Sequence, residues 1–130
     1  MRLVATLRSI AVPLVMGLAS LAAQAASVAF DKAAFAAAVS AGKPTAVQFH
    51  ANWCPTCKAQ APVVAALLAE PQFKDLTVFV ADYDKESALK KELKVTQQST
   101  FVVFKAGKEV TRSTGQTSKA AIAEVLGKAL

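Results

Sequence analysis

The sequence contains few of the residue types that ligate metal ions or recognise nucleic acid. Among its 130 residues are two cysteines, one histidine, one tryptophan and one tyrosine. Two thiolates and one imidazole fall short of the four ligands of a tetrahedral zinc site. The lysines are scattered and form no stripe with aromatic residues of the kind that binds nucleic acid. These shortages argue against a nucleic-acid partner and against a metal site that this chain completes by itself.

The first 25 residues have the pattern of a secretory signal peptide. Arg2 and Arg8 form a basic start, Ser9–Leu21 is apolar, and Ala23-Gln24-Ala25 offers small residues for cleavage after Ala25. An uncleaved membrane anchor is the alternative, although the apolar run is shorter than the roughly 20 residues of a spanning helix. We therefore expect an exported, periplasmic protein in which residues 26–130 form one small domain.

The two cysteines, Cys54 and Cys57, lie three residues apart between a strand-like run and a helical one. Cys54 falls at the predicted N-cap and Pro55 at the first helical position, where its missing N–H is no loss. Free N–H groups of the first turn and the positive helix end favour a thiolate at Cys54. Cys57 should face the interior and act as the resolving thiol. The pair predicts thiol–disulfide exchange.

Other uses of the cysteine pair stay open at this point. A structural disulfide is disfavoured because so short a loop constrains the unfolded chain little. A module that binds copper, zinc or an iron–sulfur cluster needs ligands beyond Cys54, Cys57 and His50, for example from a second copy of the chain. A redox-inert interaction domain is the third alternative.

The rest of the sequence alternates predicted strands and helices. Asp31 and Ser118 are predicted N-caps of the first and last helices, and Pro62 is expected to kink the helix that follows Cys54. A hairpin turn is expected at Ala106-Gly107-Lys108. The predicted strands are Thr45–His50, Leu76–Ala81, Phe101–Lys105 and Glu109–Ser113, and a short helix is predicted at Ser87–Leu93.

This order of elements around a Cys-x-x-Cys motif resembles the thioredoxin family over essentially all of the chain after the leader. The matching features are Trp53-Cys54-x-x-Cys57-Lys58, Pro62, Phe104-Lys105-Ala106-Gly107, Gly115 and Ser118-Lys119. The resemblance implies an α/β thioredoxin fold, which is a central mixed β-sheet flanked by helices. It also implies thiol–disulfide exchange with no cofactor beyond the redox-active pair.

One departure from the family lies in the loop expected beside the cysteines. Ser99 stands where the family has a cis-proline, and no proline follows Pro71. A cis bond before any other residue costs about 2.5–4 kcal/mol, so we expect a trans Gln98–Ser99 bond. The Ser99 N–H and hydroxyl are then expected beside Cys54. The resemblance implies a substrate-contacting surface formed by Trp53, Pro55, Thr56, Gln98, Ser99 and Thr100.

A second departure lies beneath the predicted active site. The family has a buried aspartate that helps to deprotonate the resolving cysteine, and Gln48 holds that position. The lysine often paired with the aspartate falls near Val80, so both members of a buried ion pair are absent together. The candidates for proton transfer are therefore His50, Gln48 and Lys58, although a glutamine amide cannot itself accept the proton.

The residues between the cysteines bear on the direction of electron flow. Pro55-Thr56 lacks the histidine found in strong periplasmic oxidants and looks like the glutaredoxin motif. We therefore expect a monomeric reductant of disulfides in exported proteins, with a disulfide-donating oxidase as the alternative. The resemblance to periplasmic relatives implies protein thiols or disulfides as partners and a membrane electron donor of the DsbD or CcdA type.

Overall fold

The computed structural model describes residues 25–130, and the predicted leader lies outside the described residues except for Ala25. No helix in this part of the chain is long and apolar enough to cross a membrane. The elements, in chain order, are β1 (Ala26–Ala29), α1 (Lys32–Ser40), β2 (Thr45–His50), α2 (Pro55–Leu68), a short 3₁₀ turn (Pro71–Phe73), β3 (Thr77–Asp82), α3 (Ser87–Leu93), β4 (Thr100–Lys105), β5 (Lys108–Thr114) and α4 (Lys119–Gly127).

The five strands form one mixed sheet in the order β1-β3-β2-β4-β5. β1, β3 and β2 are parallel, whereas β4 and β5 are antiparallel to their neighbours. Parallel neighbours require crossover connections, and α2 supplies the one that leads from β2 to β3. The predicted central mixed sheet is confirmed, and β2, in its middle, leads directly into the cysteine motif.

The predicted helix starts are confirmed by their capping bonds. The Asp31 carboxylate accepts the Ala34 N–H at 2.8 Å, and the Ser118 hydroxyl oxygen accepts the Ala121 N–H at 3.2 Å. Both bonds satisfy first-turn donors that have no partner within the helix. α2 continues through Pro62 as a single helix.

Four strand assignments differ from the sequence predictions. β1 was not predicted, because it is a four-residue edge strand whose side chains are mostly exposed and lack an apolar alternation. β3 begins at Thr77 rather than Leu76. It ends at Asp82 rather than Ala81, because Asp82 pairs with His50 of β2 instead of starting the turn.

β4 begins at Thr100 rather than Phe101, because Thr100 pairs with Phe49 of β2 and Thr114 of β5, and this last pairing also extends β5 by one residue beyond Ser113. Lys108 belongs to β5, because the hairpin turn needs only two residues with positive φ, Ala106 (50°) and Gly107 (83°).

Two apolar clusters, one on each face of the sheet, form the core. Alternate residues of a strand point to opposite faces. One face packs against α2 and α4 through Ala46, Val64, Leu67, Val78, Phe101, Val103, Ile122 and Leu126. The other packs against α1 and α3 through Phe35, Val47, Phe49, Phe79, Leu89, Val102 and Phe104.

Candidate active site

Cys54 is the N-cap residue of α2 and has an extended backbone conformation, with φ −89° and ψ 112°. Its Sγ accepts the Cys57 N–H at 3.1 Å. Pro55 follows at the first helical position. Cys54 is only 2% exposed, although Trp53 and Pro55 on either side of it are exposed. The predicted N-cap placement is therefore confirmed, and the sulfur receives an N–H that the helix itself leaves unpaired.

Hydrogen bonds lower the pKa of Cys54 in spite of its burial. Desolvation alone raises this pKa, but hydrogen bonds from the Cys57 thiol and N–H, the Ser99 hydroxyl and the Thr56 N–H together outweigh it. Each of these donors favours the charged sulfur over the neutral one. Cys54 is therefore the first of the two thiols to ionise.

Cys57 lies one turn further into α2 and is fully buried. Its Sγ lies 3.9 Å from the Phe49 carbonyl oxygen, which is one of two acceptors for the single thiol proton, the Cys54 sulfur being the other. Burial is the largest cause that raises the pKa of Cys57, and the hydrogen bond and charge interaction with Cys54 add to it. The two thiols are not joined in a disulfide. The pair thus combines one thiol whose pKa is lowered with one whose pKa is raised.

Ser99 adopts a left-handed backbone conformation, with φ 56°, and no peptide bond among residues 25–130 is cis. The predicted trans Gln98–Ser99 bond is therefore confirmed. A left-handed conformation costs a residue other than glycine about 1–2 kcal/mol. Backbone bonds hold it in place: the Ser99 N–H donates to the Phe49 carbonyl at 2.8 Å, and the Ser99 carbonyl accepts the Gly115 N–H at 3.0 Å.

The Ser99 hydroxyl has two acceptors within reach. Its Oγ lies 2.6 Å from the Gln98 carbonyl oxygen, and its hydrogen bond to Cys54 is one of the causes that lower the pKa of that thiol. A hydroxyl carries a single proton, so the bond to the carbonyl and the bond to the sulfur are alternatives. Ser99 is 6% exposed and so forms part of the wall of the site.

Gln60 belongs to the site but was missed by the sequence analysis. It is fully buried on the face of α2 that also carries Cys57. Its Nε2 donates to the Ser99 carbonyl at 3.1 Å and to the Gln116 carbonyl at 2.8 Å. The one available signal was a polar residue at the apolar spacing of this helix, one turn after Cys57.

Gln48 lies on β2 beneath the active site, where the family has an aspartate. It is 2% exposed, and its Nε2 has no hydrogen-bond partner. Its neighbours in register are Val80 of β3 and Phe101 of β4. Neither neighbour is charged, so the structure buries a neutral amide there rather than an ion pair.

The other proton-transfer candidates lie outside the immediate contacts of the two sulfurs. The His50 Nε2 lies 3.3 Å from the Asn52 Oδ1, and Lys58 is exposed on α2. Within residues 25–130, neither side chain hydrogen-bonds to a cysteine. Tyr83, which the sequence analysis did not single out, packs against a small buried cluster formed by Ala51, Cys54 and Cys57. Its hydroxyl donates to the Thr96 carbonyl at 2.9 Å.

The predicted substrate-contacting residues divide into an exposed group and a buried one. Trp53 is 58% exposed, and its indole N–H donates to the Asp84 Oδ2 at 2.8 Å. Pro55 is exposed, and Thr56 and Gln98 are half-buried. The buried group is Ser99 and Thr100, which are 6% and 3% exposed, and the Thr100 hydroxyl is engaged with the Gln97 carbonyl and the Thr114 hydroxyl. The Thr100 side chain therefore adds nothing to the exposed surface around Cys54.

No group of three or more histidine, cysteine, aspartate or glutamate side chains suited to a metal ion occurs in the described part of the chain. Cys54 and Cys57 thus supply two sulfurs without a third ligand of these types close by. Zinc sites normally use at least three protein ligands. The metal-binding alternative would therefore need further ligands from outside this set, for example from a second copy of the chain.

Comparisons with known proteins agree with the fold and the cysteine motif. A family model described as Thioredoxin matches residues 26–128. The chain is 36% identical over 100 residues to a thioredoxin of Mycobacterium tuberculosis, which covers 76% of this chain and 85% of that protein. It is 37% identical over 92 residues to a bifunctional thioredoxin reductase/thioredoxin of Mycobacterium leprae, covering 71% of this chain but spanning only 20% of that protein. The crystal structure of Trxlp from Edwardsiella tarda superposes with a TM-score of 0.75 at 38% identity, covering 78% of this chain and 98% of the other.

Proposed function

Because this chain belongs to the thioredoxin family, and is therefore a thiol–disulfide oxidoreductase that acts on protein disulfides, we propose that it reduces disulfides of exported proteins in the periplasm. In this proposal Cys54 is the nucleophile and Cys57 the resolving thiol. The observation that carries these roles is the Cys57 N–H donating to the Cys54 Sγ at 3.1 Å, together with the opposite pKa shifts of the two thiols.

The proposed reaction has two exchange steps. The Cys54 thiolate attacks one sulfur of the substrate disulfide, a mixed disulfide forms, and the other substrate sulfur leaves as a thiolate that takes up a proton. Cys57 then loses its proton and attacks the Cys54 Sγ. The second substrate sulfur leaves as a thiolate that takes a proton from water, and Cys54 and Cys57 are left joined. The substrate gains the two electrons that the enzyme pair loses, so no further cofactor is needed.

Deprotonation of Cys57 needs an acceptor, because Gln48 stands at the position where the resemblance implies an aspartate, and its amide cannot take a proton. The thiolate leaving the substrate is generated beside the site in the first step, and it is the proposed acceptor, directly or through water. This route ties the second step to the first. His50 bonds to Asn52 rather than to a sulfur, so the proposal gives it no direct part.

Export and recharging complete the proposal. The leader pattern at residues 1–25 supports export. A reductant in an oxidising compartment must be supplied with electrons, and a membrane donor of the DsbD or CcdA type suits a monomer with an accessible edge at Trp53 and Pro55. Cell fractionation followed by N-terminal sequencing tests export: a chain in the periplasmic fraction that begins at Ala26 supports it, whereas a full-length chain confined to the cytoplasmic fraction would overturn it.

The reduction potential of the Cys54–Cys57 pair tests the direction of electron flow. The protein from residue 26 onward is equilibrated with glutathione or dithiothreitol buffers after a metal assay, and the dithiol fraction is read by alkylation. A value near or below about −230 mV supports a reductant, whereas one near about −120 mV would make the protein a disulfide donor. Stoichiometric bound metal would favour the metal-binding alternative.

The order in which the two thiols ionise tests their roles. Because the pKa of Cys54 is lowered and that of Cys57 raised, iodoacetamide should label Cys54 first as the pH rises. Peptide mass spectrometry after short pulses at a series of pH values measures both rates. Labelling of Cys57 ahead of Cys54 would reverse the assigned roles.

A further inference from the structure

Gln60 connects α2 to two segments that lie far away in the sequence. One is the Ser99 loop (residues 94–99), between α3 and β4, and the other is the Gln116 segment (residues 115–118), between β5 and α4. Both protons of the Gln60 amide are used, one on the Ser99 carbonyl at 3.1 Å and one on the Gln116 carbonyl at 2.8 Å. The facing carbonyls accept but do not donate, so the NH₂ group must be the end that faces them.

This arrangement costs stability at Gln60 itself. The residue is fully buried, and its Oε1 has no hydrogen-bond partner. A buried polar atom without a partner is unfavourable, whereas an apolar side chain of similar size would carry no such cost. The neighbouring buried positions one and two turns along the helix are apolar, Val64 and Leu67. The amide at position 60 is therefore explained by its two contacts and not by packing.

The contacts of Gln60 converge on the strained residue of the site. Ser99 has φ 56°, and a left-handed serine keeps that conformation only when its surroundings impose it. Its carbonyl accepts two donors, the Gly115 N–H at 3.0 Å and the Gln60 Nε2. Removing the Gln60 amide therefore removes the only side-chain donor among the two hydrogen bonds that the Ser99 carbonyl accepts.

We infer that Gln60 is a positioning residue: by holding the Ser99 carbonyl, it fixes Ser99 where its N–H shares the Phe49 carbonyl with the Cys57 thiol. In this position the Ser99 hydroxyl can turn from the Gln98 carbonyl to the Cys54 sulfur and so set the reactivity of that thiol. The inference rests on the proposed function, in which Cys54 is the nucleophile. Several titratable groups lie on the elements around Cys54, namely Cys57 and Lys58 on α2, His50 on β2 and residues 82–84 at the end of β3. Among these, Cys57 alone contributes to the lowered pKa of Cys54.

The test is the pH profile of Cys54 alkylation in Gln60→Met, in which methionine replaces the amide at similar volume. We expect the midpoint to move upward by about one pH unit, the size of one hydrogen bond to a charged group. Val64→Ala is the matched control, because it removes buried volume from the next turn of the same helix face without touching the Ser99 loop. Its Tm should fall while its alkylation midpoint stays at the wild-type value.

Ser99→Ala and the double variant Gln60→Met/Ser99→Ala show whether Gln60 acts through Ser99. We expect Ser99→Ala to shift the midpoint upward and the double variant to shift it no further. Additive shifts, a wild-type profile in Gln60→Met, or an equal shift in Val64→Ala would each overturn the inference. These assays use no protein substrate. If wild-type Cys54 does not ionise before Cys57, the proposed function fails, whereas an unshifted Gln60→Met with a normal wild type defeats only the role of Gln60.

Discussion

The two faces of the sheet are packed by different chemistry. The face against α1 and α3 is filled by aromatic and aliphatic side chains. Phe35 meets Phe79 and Phe104 edge-on, with ring centroids 5.7 and 5.4 Å apart. Such aromatic pairs add to the stabilisation that burial already gives. The apolar side chains of this face stabilise the fold, and none of the reactive groups lies among them.

The face against α2 and α4 buries amides among its apolar residues. Gln48 and Gln60 lie on this side of the sheet, and each has one side-chain atom without a hydrogen-bond partner. They are the only buried residues in the described part of the chain with such atoms. Unpaired buried polar atoms cost stability, and both residues that carry this cost lie on the side of the sheet against which the reactive thiols are placed.

The largest expected effect comes from removing the resolving thiol, Cys57. In Cys57→Ser, Cys54 still attacks a protein disulfide, but the mixed disulfide has no thiol to resolve it, so turnover should fall to background. Intact-mass spectrometry should show a stable adduct of enzyme and substrate. Cys54→Ser is the control and should form no adduct. Sustained turnover by Cys57→Ser would contradict the assigned roles.

The next effect falls on the opposite face and should affect stability instead of chemistry. Phe79→Ala removes a buried ring from the aromatic cluster and should lower the free energy of unfolding by about 3–5 kcal/mol. Urea unfolding followed by tryptophan fluorescence measures the loss. Val110→Ala on β5, where Val110 is 47% exposed, should change little. The Cys54 alkylation profile of folded Phe79→Ala should match the wild type. A shifted profile would contradict the idea that this face affects stability without affecting the reactive thiols.

Replacing Ser99 by proline should destabilise this protein. Proline fixes φ near −65° and has no N–H, whereas Ser99 has φ 56° and donates to the Phe49 carbonyl. We expect Ser99→Pro to lower the free energy of unfolding by about 3 kcal/mol. Ser99→Ala, which keeps the N–H, should cost clearly less in the same denaturant titration. Equal stability of Ser99→Pro and the wild type would show that this loop readily takes another path.

The smallest expected effect is a gain in stability. Gln48→Leu replaces an amide whose Nε2 has no partner by an apolar side chain, and it should raise the free energy of unfolding by about 1 kcal/mol. Gln72→Leu, at an exposed position, is the matched control and should change stability little. A loss of stability in Gln48→Leu would mean that the amide has a partner in solution, such as a buried water.

The helix starts could be predicted from the sequence because their causes are local. Asp31, Cys54 and Ser118 each cap a helix by accepting an N–H only three residues further on. The short helix Ser87–Leu93 was also correctly bounded. The edge strand β1 could not be predicted in this way, because its backbone bonds to β3, about 50 residues later, are what make it a strand.

The sequence by itself determined the Cys54-Pro55 helix start, and with it the thiol that receives free first-turn amides, because the four consecutive residues 54–57 suffice for that geometry. The tertiary structure alone decided the surroundings of that thiol. It buried Thr100, turned Ser99 to a positive φ and brought Gln60 to carbonyls 39 and 56 residues away. Contacts at such separations depend on how the whole sheet and its helices pack, and no local pattern of residues encodes them.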